Sequence, residues 1–72
     1  MPVAVCTDPE ILSGIPVFAG TRVPFQTLMD YLEEGHNLAE FLADFPTVTR
    51  DLAVAALEEA KEAVLANAYP SR

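Results

Sequence analysis

The chain has 72 residues, 51% of them hydrophobic, with eleven Asp/Glu against four Lys/Arg and a formal net charge of −7. That length makes a single domain, 1–72, whose core is small enough that self-association or a partner is expected to supplement it. The acidic balance opposes nonspecific nucleic-acid binding, which depends on neutralising phosphates, and it suits a basic partner better.

Along residues 1–12, Val3 and Val5 alternate with smaller side chains and predict a short strand, broken by Thr7-Asp8-Pro9 as a turn. The stretch Gly14-Ile15-Pro16-Val17-Phe18-Ala19-Gly20-Thr21-Arg22-Val23-Pro24 then reads as turn, short strand, turn. Its glycines tolerate positive φ, and its prolines fix φ while removing a donor. Val17–Ala19 is the strand's mate within the chain, and the same segments of a second copy are the alternative. This β element occupies about residues 1–23.

Helices follow over about residues 24–67. Pro24 suits a first helical turn, and Phe25, Leu28, Met29 and Leu32 form one apolar face of a helix running to about Glu34. Gly35 stands where a left-handed C-terminal residue belongs. Asn37 and Glu40 have capping-box spacing, Leu38, Phe41, Leu42 and Phe45 repeat the apolar pattern, and Pro46 ends it. A third helix starts at a cap supplied by Thr47 or Thr49, with Asp51 near its positive end. Ala53, Leu57, Ala60 and Val64 make its apolar stripe, widened by Val54, Ala56 and Leu65. Glu58, Glu59 and Glu62 mark its solvent side, with Lys61 in reach of Glu58, and the helix frays near Asn67. The fold class is mainly α: a short N-terminal β element followed by a three-helix, helix-turn-helix-like bundle.

Catalytic chemistry is poorly provided for. His36 is the one histidine and sits beside a helix-ending glycine, which suits a surface or capping role. Paired Cys/His at metal-ligand spacing are absent, and Gly14 and Gly20 lack the spacing and Lys-Ser/Thr ending of a phosphate loop. No enzyme activity, cofactor or metal is therefore expected. The lone Cys6 excludes an intrachain disulfide, fits a reducing cytosol, and is expected to pack as a small hydrophobe. Neither a signal peptide nor an apolar run of membrane-spanning length is evident, so a cytoplasmic location is expected. Arg22, between turn and helix, has two readings: a structural tie from hairpin to helices, or direct contact with a ligand or partner through its planar fork.

Asp8-Pro9-Glu10-Ile11-Leu12, Gly14-x-Pro16-Val17 and Gly20-Thr21-Arg22-Val23-Pro24 resemble the domain of unknown function 433 family. The likeness continues through Leu32-x-x-Gly35, Phe45-Pro46-x-Val48-Thr49, Asp51 and Ala55-Ala56-Leu57, from about residue 6 to residue 65. That family is similar to trihelical, homeodomain-like DNA-binding modules, and many members look like antitoxins encoded beside a PIN-like ribonuclease toxin. The resemblance implies a small cytosolic antitoxin that neutralises the toxin and binds its own operator. The mechanism expected here is occlusion of the toxin's metal site, with Arg22 or Arg72 reaching its acidic ligands. The chain has Ile15, Ala19 and Val54 where the family often has a basic residue. With no Arg or Lys between Arg50 and Lys61, protein binding is favoured over DNA binding. The alternative is a sequence-specific DNA-binding repressor using Thr47, Thr49 and Arg50. A homodimer pairing through residues 3–6 or 17–23 is a separate expectation.

Overall fold

The computed structural model describes residues 3–71. Two short strands, β1 (Val5–Cys6) and β2 (Val17–Phe18), pair antiparallel within the chain, with Val5 opposite Phe18 and Cys6 opposite Val17. The connection between them begins where Asp8 Oδ1 accepts from the Glu10 N–H, the local carboxylate contact that makes an Asx turn. A 3-10 turn, Leu12–Gly14, follows, with Leu12, Ser13 and Gly14 all at positive φ. Only the glycine of the three carries a sequence signal for that conformation, because L side chains enter it at a steric cost.

The helices are α1 (Phe25–Glu33), α2 (Leu38–Asp44) and α3 (Arg50–Ala66). Pro24 is the N-cap of α1, so the helix opens one residue later than the apolar pattern suggested. At its other end Gly35 has φ 93°. Its N–H donates to the Leu32 carbonyl, and the His36 N–H donates to that of Tyr31. This pair of bonds is a Schellman motif, which needs a residue tolerant of positive φ at the Gly35 position. In α2 both halves of the capping box are made at 2.8 Å, Asn37 Oδ1 accepting from the Glu40 N–H and Glu40 Oε1 from the Asn37 N–H. Of the two candidate caps for α3, Thr49 serves: its Oγ1 accepts from the Leu52 N–H at 3.1 Å.

Phe18 is the centre of the molecule. It is fully buried, with the rings of Phe25 and Phe41 each 5.8 Å away, and Phe41 continues to Tyr31 and Phe45. Ala4, Leu28, Val48, Ala53 and Ala56 close the core around these rings. Small residues at 53 and 56 allow α3 to lie close against β2 and the helices, where larger side chains would hold it off.

Three sequence-based expectations need correction. The stripe on α3 is buried only over its first half, at Ala53 and Ala56, whereas Val64 and Leu65 in the second half are 67% and 69% exposed; Val54, at the margin of the buried face, is 39% exposed. The reason is length. At 1.5 Å per residue α3 spans about 25 Å against about 13 Å for α1, so it outlasts the core it packs on. Glu59 is not purely solvent-facing, since its Oε2 accepts from the Ala4 N–H at 2.7 Å and binds the N-terminal segment to α3. Cys6 is exposed and is not packed as a small hydrophobe, because the two-residue strand turns it outward.

Candidate binding groove

The Gly20-Thr21-Arg22-Val23 loop is built by hydrogen bonds that return the chain along the outer side of β2. Gly20 takes φ 77°, which reverses the chain, and the Thr21 N–H donates to the Phe18 carbonyl at 3.0 Å. Thr21 Oγ1 then works in both directions, donating to the same carbonyl at 2.9 Å and accepting from the Val23 N–H at 3.0 Å. The Phe18 N–H donates to the Val23 carbonyl, and the Phe25 N–H to that of Pro16. With β1 on one side and Val23–Pro24 on the other, β2 is flanked along both edges.

Thr21 is thus the tie that sequence reasoning offered to Arg22. Its signal was available, as a threonine directly after a turn glycine is suited to close such a loop with its hydroxyl. Arg22 is exposed, and the ion pairs among the described residues, His36–Glu40 and Glu58–Lys61, do not include it. It lines an open groove of about 750 Å³ between the N-terminal segment, the hairpin and the α2–α3 connection. The floor is apolar, from Ile11, Val17, Val23, Pro24 and Phe45, and Cys6, Asp8, Thr21, Arg22 and Thr47 supply polar atoms.

The fold therefore brings two predicted contact residues, Arg22 and Thr47, to one concavity, although they are far apart in sequence. Thr49 and Arg50 do not line it. They stand at the start of α3, where the Thr49 hydroxyl caps the helix and Arg50 is exposed. Arg72 lies outside the described residues. Sequence reasoning missed Phe45 as part of the groove, because its place in the apolar pattern of α2 marked it as core alone.

A smaller concavity of about 390 Å³ lies between the end of α1 and α2. Here Tyr31 Oη donates to Asp44 Oδ2 at 2.6 Å, and His36 Nδ1 is 3.5 Å from Glu40 Oε2. The hydrogen bond to Asp44 raises the Tyr31 pKa above its usual value, with desolvation adding to it. The Asn37 N–H lowers that of Glu40; desolvation opposes the effect and His36 assists it. His36 is at the surface beside the helix-ending glycine, as its position in the sequence suggested. No group of three or more His, Cys, Asp or Glu able to hold a metal ion occurs among the described residues. None of their helices is long and apolar enough to cross a membrane.

The family model described as "Protein of unknown function (DUF433)" matches residues 5–60. The fold is similar to the crystal structure of a DUF433 member protein from Anabaena variabilis ATCC 29413, with a TM-score of 0.71 and 27% sequence identity. That similarity covers 83% of this chain and 59% of the other, so the matched part spans less than two thirds of the Anabaena protein. No curated protein matches this chain.

Proposed function

The chain belongs to the DUF433 family of proteins of unknown function, and on that premise we propose that it is an antitoxin-like protein-binding module. Its partner is a PIN-like ribonuclease toxin of a type II toxin–antitoxin pair, and its place of action is the cytoplasm. The observation that carries this reading is the open groove, an apolar floor with Arg22 and Thr47 on its lining. Such a surface suits a protruding segment of another protein, whose apolar side chains would cover the half-buried Ile11, Val23 and Phe45. Arg22 would then meet carboxylates of the nuclease's metal site in bidentate fashion and exclude the metal or the RNA from it. The net charge of −7 supports the same pairing, since a nuclease surface that attracts RNA also attracts an acidic protein.

Co-expression with such a nuclease tests the reading. The expected outcome is a stable complex in which RNase activity is titrated away, with Arg22→Ala weakening inhibition by about tenfold or more as a charge-assisted contact is lost. A nuclease that keeps full activity at micromolar excess of the chain would overturn it. A second reading, a sequence-specific DNA-binding repressor with a helix-turn-helix-like fold, is favoured by Arg50 standing exposed at the first residue of α3 beside the capping Thr49. It requires a salt-dependent mobility shift on upstream DNA that Arg50→Ala abolishes.

A further inference from the structure

α3 has a second row of side chains, apart from the stripe that enters the core. Val54, Glu58, Lys61 and Leu65 follow at intervals of four, three and four, which aligns them along one side of the helix. All four face solvent: Val54 and Leu65 are 39% and 69% exposed, and the side chains of Glu58 and Lys61 are 57% and 58% exposed. Within one chain Lys61 Nζ reaches Glu58 Oε2 at 2.8 Å.

The order along this row is apolar, acidic, basic, apolar. Reversed end for end, it becomes its own complement. If two copies lie antiparallel about a midpoint between Glu59 and Ala60, Val54 of each copy meets Leu65 of the other. Glu58 of each then meets Lys61 of the other. We propose that this row is the seam of an antiparallel homodimer in which α3 of one copy packs on α3 of a second. Self-complementarity of this kind is the requirement of an isologous two-fold contact. The four-three-four spacing keeps all four side chains on one facing stripe, as along a coiled-coil seam; here the outer apolar pairs supply burial, and the charged pairs between them set register at a cost in stability.

Charge selects a second copy over an unrelated basic protein. One acid and one base make the row neutral, although the chain as a whole carries −7, so a partner recognised by its positive charge is drawn elsewhere. Glu59, the acid nearest the midpoint, is turned away from the seam and bonded to the Ala4 N–H. Both edges of β2 are also already used inside the chain, by β1 and by Val23–Pro24. The long free half of α3 is where a second copy has room.

Sedimentation of the full chain from micromolar to millimolar concentration, with helicity followed by circular dichroism, tests the seam. The wild type is expected to reach the mass of two chains. Lys61→Glu and Glu58→Lys each set like charges against one another at two symmetry-related places, so each should weaken association by about tenfold or more. The double variant Glu58→Lys/Lys61→Glu restores the complement and should return association to near the wild-type level. Orientation is read by mixing Val54→Cys with Leu65→Cys, both in a Cys6→Ser background, under mild oxidation. A disulfide between the unlike positions, in preference to either like pair, is expected. A wild type that remains a single chain at millimolar concentration would overturn the proposal. So would single charge variants that associate as well as the wild type, or cross-links formed chiefly between like positions.

Discussion

Replacing Thr21 by valine keeps the branched shape at Cβ and removes a hydroxyl that both donates to the Phe18 carbonyl and accepts from the Val23 N–H. Both partners are backbone groups in the part-buried loop, and the substitution leaves an amide donor with no acceptor. We expect a loss of about 1–2 kcal/mol in urea unfolding, with serine at the same position recovering most of it. Arg22→Ala should leave the same unfolding curve within about 0.5 kcal/mol, as is usual for an exposed side chain that is not engaged in the fold. That contrast separates the residue that builds the loop from the residue the loop displays. Both stand in the same short motif, where the place of the threonine directly after a turn glycine is the local signal for the hydroxyl that closes the loop.

At the scale of elements, the shortest helix depends most on its cap. α2 has only 7 residues, and an isolated helix of that length is far below what cooperativity sustains in water. Asn37→Ala should cost about 1 kcal/mol by removing the side-chain acceptor for the Glu40 N–H. The reciprocal half of the box gives a pH dependence with a definite sign. Because the folded chain holds the Glu40 carboxylate below its ordinary range, its contribution is present above the unfolded pKa and is lost as pH falls through the lowered folded value. Helicity followed by circular dichroism on acidification should therefore show a step that Glu40→Gln removes. Tyr31 works in the opposite direction: its raised pKa means that the bond to Asp44 is kept below the ordinary tyrosine range and lost as pH rises through the folded value.

The whole molecule is less compact than its length allows. Its Cα radius of gyration is 13.1 Å, against about 11 Å for a compact chain of this size. The far half of α3, which carries Val64 and Leu65 into solvent, and the exposed residues 67–71 beyond it extend past the core. What remains is a small core gathered on one ring. Phe18→Ala should cost about 3–5 kcal/mol, which is most of the stability open to a domain this small. The expected result is a chain that is largely unfolded at room temperature, read as loss of the cooperative urea transition.

The punctuation of this fold was legible in the sequence: Pro24 opening α1, Gly35 closing it, Asn37 and Glu40 boxing α2, Pro46 ending it and Asn67 marking the limit of α3. Such signals act over three or four residues, through backbone groups whose partners are fixed by local geometry, so the chain states them outright. That the first strand has a mate within the chain at Val17–Ala19 was legible for a similar reason, because a short strand between two turns has few mates within reach, whereas the register of Val5 on Phe18 came only with the structure. Tertiary packing alone decided that Arg22 and Thr47 share a groove, that Glu59 binds the Ala4 N–H, and that half of the apolar stripe on α3 stays bare. Helical periodicity reports which side chains share a face, but burial requires another element to lie opposite, and only the packed chain shows where the neighbours of α3 come to an end.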